Sequence, residues 1–293
     1  MKRKILFILN PHSGIGRHLR VEGSIRRYLD KSLFDYEVVH TKHPGHATTL
    51  AAAAAAAKTD IVAVAGGDGS VNEVVNGIYG TDTILALIPT GSGNGLARYL
   101  KIPLRATTAI QLINELSVTK IDLGFVNERL FVSIAGVGFD AHIADMYSRA
   151  NYRGFMTYFS MIASSFQAYK PKKYTLQFEG KTIKEKALLI SFSNSNQFGY
   201  NTSFAPEASI TDGMLDISII KKPPLLKTPL MGHLLYFKRI NESSYVDIYR
   251  ARKAVVKKKK KIMVNIDGEA VEMNTKKLSL RTEKKALRII VPK

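Results

Sequence analysis

Three short segments carry the residue types that hold and transfer phosphate. Asn10-Pro11-His12-Ser13-Gly14 follows the apolar run Ile5–Leu9, and Gly66-Gly67-Asp68-Gly69-Ser70 follows Ile61–Ala65. Pro89-Thr90-Gly91-Ser92-Gly93-Asn94-Gly95 follows Ile84–Ile88. Without a Cβ, a glycine backbone lets its N–H groups approach an anion closely. A helix starting after the second segment would aim its positive end at the same point. Asp68 sits among those donors, and a carboxylate belongs beside phosphate only with a cation such as Mg2+ between them. In a parallel sheet all three loops lie at the carboxyl edge, where open α/β sheets bind ligands. The combination reads as a nucleotide-phosphate site of the phosphotransfer type. None of the segments matches G-x-x-x-x-G-K-[ST], and G-x-G-x-x-G is absent after the first strand, so Walker and dinucleotide fingerprints are both missing.

The elements that must position these loops alternate. Strands are predicted over Ile5–Leu9, Tyr36–Thr41, Ile61–Ala65 and Ile84–Ile88. Helices are predicted over Arg17–Leu29 (Leu19, Ile25 and Leu29 inward), Ala47–Lys58, Ser70–Tyr79 and Thr107–Leu116. This βα alternation implies a parallel sheet with helices on both faces. The run Ala51–Ala57 suits a helix packed closely on the sheet. Beyond Lys120 the pattern becomes β-rich, with strands predicted over 121–126, 130–135, 174–178, 187–193, 215–220, 244–249, 263–266 and 278–281. Two helical inserts interrupt it, over 154–168 and 225–238. The domains are expected at 1–122 and 123–293, with a C-terminal tail that can return to the first and an active site in the cleft between them. The aromatic stripe of the first insert reads as core or, beside Lys170-Pro171-Lys172-Lys173, as a helix lying on a membrane.

The trio NPHSG, GGDGS-x-NE and PTGSGNGLAR resembles the diacylglycerol kinase and sphingosine kinase catalytic-domain family, in its bacterial lipid-kinase branch. GVGFDA at 136–141, PEASITDGMLDI at 206–217 and Asp267-Gly268-Glu269 continue the likeness from about residue 4 to about residue 270. Ser70 stands where the family commonly has Thr, and the third segment looks closer to sphingosine and ceramide kinases than to the bacterial G-T-x-N-D pattern. The resemblance implies an NAD-kinase/phosphofructokinase-like α/β domain with a parallel sheet, joined to a β-sandwich domain. It also implies ATP and Mg2+. The cradle it implies comprises Asn10, Pro11, Ser13, Gly14, Thr41, Gly66, Gly67, Asp68, Gly69, Ser70, Asn72, Glu73 and Ser92. Glu73 can equally be an ordinary acid at a helix start. By spacing alone D-G-E is a hairpin turn. The family places its proton acceptor there, which makes Glu269 the preferred base and Asp267 a metal partner or alternative base. Asp140 resembles the acid that contacts a lipid headgroup, with Asn94 as a second substrate residue. Ser209, Asp212 and Met214 occupy positions where bacterial relatives hold a structural Mg2+, although Thr211-Asp212-Gly213 also reads as a plain turn.

Composition narrows the partners. The chain has 293 residues, 45% hydrophobic and 23% charged, with no cysteine and hence no thiolate or cysteine–zinc chemistry. No run approaches the roughly 18 apolar residues of a membrane span. Met-Lys-Arg-Lys passes straight into the first strand, leaving no room for a cleavable signal, so a cytoplasmic enzyme at the inner membrane surface is expected. Lys and Arg outnumber Asp and Glu by 43 to 24, a net charge of +19, which favours an anionic leaflet. Lys257–Lys261 reads either as a membrane contact or as a solvated strand end or hairpin. The expectation is an ATP-dependent lipid kinase acting on a diacylglycerol-like or sphingoid-like hydroxyl, with peripheral membrane contact and a homodimer as an open option. The enzymatic rival is an NAD kinase-like phosphotransferase, for which Asn241-Glu242 would be the second N-E pair. A nucleic-acid-binding regulator is the non-enzymatic rival, but no helix-turn-helix or aromatic-interleaved basic motif supports nucleic acid as a partner.

Overall fold

The computed structural model describes residues 2–14, 17–150, 154–197 and 202–293. Ile15 and Gly16, which follow the first motif, lie outside them. The chain forms two compact units, Met1–Ile121 with Lys285–Lys293, and Asp122–Lys284.

In unit 1, strands β1 (Arg3–Leu9), β2 (Phe34–His40), β3 (Ile61–Gly66) and β4 (Ile84–Pro89) are parallel, in the order β2-β1-β3-β4. Ile289, near the C-terminus, extends the sheet beside Leu85. Every residue of β3 and β4 is buried. Such unbroken apolar runs are expected of strands covered on both faces. The helices are α1 (Arg17–Tyr28), α2 (His46–Ala56), α3 (Asp68–Ile78), α4 (Gly95–Tyr99) and α5 (Ala106–Glu115); α1 packs on α5 and α2 on α3. In α1 the inward stripe is Val21 and Ile25, followed by buried Leu29 just past its end, whereas Leu19 is 67% exposed, against expectation. Two residues before Val21 is about 200° around the helix, so Leu19 faces away from that stripe. The alanine run serves close packing of α2 on α3: a Cβ on Gly77 would lie 2.5 Å from the Thr48 carbonyl oxygen and 2.7 Å from the Ala51 Cβ.

Strand β5 (Val118–Val126) leads into unit 2, where β6 (Arg129–Phe131), β7 (Ile134–Gly138), α6 (Phe139–Ser148), α7 (Phe155–Phe166), β8 (Lys172–Phe178), β9 (Lys181–Ala187), β10 (Leu189–Ser193) and β11 (Leu215–Ile220) follow. A 3-10 turn (Leu225–Lys227) runs into α8 (Thr228–Tyr236). The chain closes with β12 (Val246–Ala251), β13 (Lys253–Lys257), β14 (Ile262–Ile266), β15 (Glu269–Met273) and β16 (Lys277–Ile290). One antiparallel sheet has the order β12-β11-β10-β7-β14-β15, and a second layer is built on β16-β13-β8-β9 with β5 and β6. Their inner faces share one apolar core, including Phe131, Phe192, Ile217, Val256, Val264 and Leu278. Unit 2 is a β-sandwich. A second cluster, with Phe139, Ile143 and Leu188, is covered by Tyr158, Met161, Ile162 and Phe166 of α7 and by Met231, Leu234 and Leu235 of α8.

Two local features depart from the sequence pattern. The strand expected over 130–135 is interrupted at Val132-Ser133, whose N–H groups turn to the Asp267 side chain. Helix α6 starts immediately after Gly138, which has φ +96°, and a Cβ there would meet the Leu188 carbonyl oxygen at 2.5 Å. Of the lysine run, Lys257 closes β13 and 258–261 connect to β14, with Lys261 Nζ donating to Asn274 Oδ1 at 2.8 Å.

Candidate active site

In unit 1 the order β2-β1-β3-β4 reverses direction between β1 and β3. A doubly wound sheet opens a crevice for ligands at such a switch point. The first motif leaves β1 and the second leaves β3, so the topology brings both to this place. Side chains then tie the loops together. Asn10 Nδ2 donates to Ser70 Oγ at 2.8 Å, and Asn10 Oδ1 accepts the His12 N–H at 3.0 Å. Thr90 Oγ1 donates to Ser13 Oγ at 3.1 Å, joining the loop after β4 to the loop after β1. The glycines allow contact between backbones: a Cβ on Gly91 would lie 2.5 Å from the Gly67 Cα, and one on Gly66 would lie 2.4 Å from the Ser70 Cβ. Gly14 takes φ +68°. Thr41, at the end of β2, is buried and donates its N–H to the Leu9 carbonyl at 2.9 Å. Pro11 is half-buried and Ser92 is exposed at the loop surface.

Helix α3 begins earlier than its sequence suggests. Asp68, Gly69 and Ser70 form its first turn, and no side chain caps it at Gly67. Its N-terminus therefore presents backbone donors and the positive end of the helix at the switch point. Asp68 Oδ1 accepts the Gly95 N–H at 2.8 Å, which fastens the start of α4 to the start of α3. A Cβ on Gly93 would lie 2.9 Å from Asp68 Oδ2, so this loop is shaped around the carboxylate. Asn94 adopts φ +51° and donates from Nδ2 to the Gly91 carbonyl at 2.8 Å. Buried in unit 1, it shapes the loop after β4. Two further cradle candidates bond to neighbouring helical residues. Glu73 accepts the Gly45 and Ala47 N–H groups at 2.9 and 3.1 Å, capping the N-terminus of α2. Asn72 Oδ1 accepts Asn76 Nδ2 one turn on.

In unit 2 the D-G-E triplet forms a two-residue hairpin between β14 and β15, with Ile266 opposite Glu269. Asp267 has φ +47° and Gly268 φ +97°, as a type I′ turn requires. The two acids are therefore not equivalent. The Asp267 carboxylate is buried and accepts three backbone N–H groups, from Val132 (2.6 Å), Ser133 (2.8 Å) and Ile134 (3.0 Å). Glu269 is exposed at the start of β15. Asp140, in the first turn of α6, is 3% exposed. Its Oδ1 accepts Asn265 Nδ2 at 2.9 Å, and Asn265 Oδ1 accepts the Gly268 N–H at 2.9 Å. Burial pushes the Asp140 carboxyl up to about 7, against the lowering effect of Asn265. Asp140 thus reaches the hairpin through Asn265. The sequence reading passed over Asn265, although an amide inside the apolar run Ile262–Ile266 is a visible signal.

Ser209, Asp212 and Met214 lie on a turn whose side chains bond one another and Arg250. Asp212 Oδ1 accepts the Met214 N–H at 2.9 Å, and Asp212 Oδ2 lies 3.3 Å from the Arg250 guanidinium. Arg250 also donates to Asp216 Oδ1 at 3.0 Å and to the Glu207 carbonyl at 3.0 Å. The Arg250 guanidinium thus supplies positive charge among these oxygens. The Asp212-Gly213 turn is also held by Asp122 Oδ2, which accepts the Gly213 N–H at 2.6 Å. Neither Arg250 nor Asp122 was singled out by the sequence. Among the described residues no three His, Cys, Asp or Glu side chains gather as a metal would require. Glu242, of the second N-E pair, is held by Arg239 at 2.6 Å.

Comparison with known proteins identifies the family. The diacylglycerol kinase catalytic domain family matches residues 4–126, and the YegS C-terminal NAD kinase beta sandwich-like domain family matches residues 133–291. A diacylglycerol kinase of Bacillus subtilis (strain 168) is 30% identical over 278 residues, covering 92% of this chain and 90% of the relative. One from Mycobacterium tuberculosis (strain H37Rv) is 31% identical over 225 residues, covering 74% and 72%. The crystal structure of a diacylglycerol kinase from Bacillus anthracis str. Sterne superposes with a TM-score of 0.74 at 22% identity, covering 99% of this chain and 97% of the other, a likeness of fold. With both domains matched in order and a relative at 30% identity over nearly its whole length, the chain belongs to the diacylglycerol kinase family of lipid kinases.

Proposed function

We propose that this protein transfers the γ-phosphoryl group of ATP to the hydroxyl of a diacylglycerol-like lipid at a membrane surface. The observation that carries the reading is the knot of three glycine-bearing loops at the β1/β3 switch point, with Asp68 fixed inside it. Backbone donors of the α3 N-terminus and the loops after β1 and β4 would hold the phosphates. The carboxylate of Asp68 suits a Mg2+ chelated by those phosphates, and that ion would neutralise charge developing on the transferred group. Glu269 takes the proton of the acceptor hydroxyl as its oxygen attacks phosphorus and ADP departs. Asp267 serves as the anchor that fixes the hairpin, and Asp140 positions the same hairpin through Asn265. The acceptor class is supported by the relatives' names, which specify diacylglycerol at up to 31% identity.

The test is γ-labelled ATP with purified diacylglycerol, phosphatidylglycerol, a sphingoid base, undecaprenol and NAD offered separately. Diacylglycerol is expected to gain phosphate in a Mg2+-dependent reaction. Label appearing in NAD alone would overturn the reading.

A further inference from the structure

Helix α7, the 225–227 turn and α8 concentrate the exposed apolar surface of this chain. Among the described residues eleven large hydrophobic side chains are exposed, and seven of them lie on these elements and the residue after α8. Leu226 is 95% exposed, Met156 73%, Leu225 61%, Leu230 57%, Phe237 56% and Phe159 55%. The same helices turn Tyr158, Ile162, Phe166, Met231 and Leu234 onto the second core cluster, so they are apolar on both sides. A helix apolar all round needs a partner on its outer face. Lys222 locks the two segments together: its ammonium donates to the carbonyls of Gln167 (2.8 Å) and Tyr169 (2.9 Å) and lies 5.3 Å from the Phe166 ring centroid. The apolar side chains of the two helices therefore belong to one surface.

Charge identifies what that surface meets. Residues 146–178 and 217–241 contain ten Lys and Arg and no Asp or Glu. Arg149, Lys221 and Arg239 pair with the flanking acids Asp145, Asp247 and Glu242, which leaves Lys170, Lys172, Lys173 and Lys227 among the described residues with no such ion pair. Lys170, Lys173 and Lys227 are exposed around the apolar side chains. A second copy of a chain carrying +19 would set these cations against each other. An anionic bilayer satisfies both components, taking up the leucines while its headgroups meet the lysines. We infer that α7 and the 225–237 segment form a membrane-docking face, with Leu225, Leu226 and Leu230 entering the interface of an anionic leaflet. This rests on the lipid-kinase reading for its purpose, because an acceptor held in a bilayer must be reached there. It also names a surface that the cradle and hairpin do not.

The experiment is flotation of the full chain with phosphatidylcholine vesicles, with and without phosphatidylglycerol, in the absence of ATP and acceptor. The wild type should bind the anionic vesicles. Leu226→Glu with Leu230→Glu should weaken that binding on the order of a hundredfold. It should leave thermal unfolding and turnover of a water-dispersed short-chain acceptor unchanged. Lys170→Gln with Lys227→Gln should weaken binding at low salt and change it little at high salt. The inference falls if the leucine variant binds like wild type, if the wild type ignores anionic vesicles, or if the variant instead dissolves a dimer seen by ultracentrifugation. Vesicle binding with no phosphorylation of any lipid would sink the kinase reading and leave the docking face standing.

Discussion

The two regions that carry charge chemistry manage it in opposite ways. At the switch point of unit 1 the proposed binding groups belong to the backbone. Glycines let Gly67 and Gly91 touch, and α3 starts without a side-chain cap. At the hairpin of unit 2 three backbone donors close on a carboxylate of the protein itself, Asp267. In the proposed function the first offers its donors to an anion that arrives with the substrate. The second consumes its donors to hold a turn, and so sets a neighbouring acid, Glu269, in place. Cradle and anchor use the same interaction, and what separates them is whether the negative charge is covalently part of the chain.

The sharpest way to break that contrast is to change the two hairpin acids one at a time. Glu269→Gln removes the proposed base from an exposed position at the start of β15. Its phosphoryl transfer should fall by about 10²–10⁴-fold while thermal stability and nucleotide binding stay at wild-type values. If the turnover survives, Glu269 is not the proton acceptor. Asp267→Ala should behave in the reverse order. Three buried N–H groups lose their acceptor, at about 1–3 kcal/mol each, so a loss of roughly 5 kcal/mol in denaturant unfolding is expected, with activity falling as a consequence. A stable but inactive Asp267→Ala would show that this carboxylate takes part in the chemistry.

Asp140 sharpens the comparison, because it is buried without such donors. Its folded carboxyl titrates at about 7, raised from 3.8 by burial. Between those values the folded state holds a proton that the unfolded state has released. Stability from this group therefore falls as pH rises from about 4 to about 7, then levels off. Asp140→Asn should remove that slope and stabilise the protein above pH 7, by at most about 4 kcal/mol. Thermal melts of both proteins across this pH range check the sign. A variant that melts lower at pH 8 would mean that the charged form is favoured in the fold. Activity is expected to drop in the same variant, since the link through Asn265 to Gly268 is altered.

How legible these features were follows from where their partners lie. The parallel sheet and its loops announce themselves locally, because apolar runs ending in glycine clusters are contiguous in sequence. The sandwich was visible as a β-rich stretch, but β9 (Lys181–Ala187) escaped, since a strand that reads Lys-Thr-Ile-Lys-Glu-Lys-Ala has one half-buried face and little apolar signal. The division of labour between Asp267 and Glu269 could not be read from D-G-E itself. The donors that decide it are 133 to 135 residues away in the chain. Likewise, nothing near Asp212 points to Arg250, which lies 38 residues on and donates to its carboxylate.

Glu73 is the smallest test and the most instructive misdirection. Near the start of α3, an acid reads as a residue serving its own helix or a bound cation. In the structure its two oxygens take the Gly45 and Ala47 N–H groups, and Thr48 donates its hydroxyl to the Glu73 carbonyl at 2.9 Å. Helix α2 begins at Gly45 with φ +81° and no cap from its own side chains, so the acid of one helix completes the N-terminus of the next. Glu73→Ala should therefore cost about 1–2 kcal/mol, the usual worth of a cap, and the loss should show as faster amide exchange at the start of α2. Glu73→Gln keeps one acceptor oxygen and should recover part of it. Because this residue supports the helix that packs on α3, its substitution should leave the Mg2+ dependence of turnover unchanged. A shifted Mg2+ requirement would return Glu73 to the phosphate cradle and extend the backbone-borne region by one side chain.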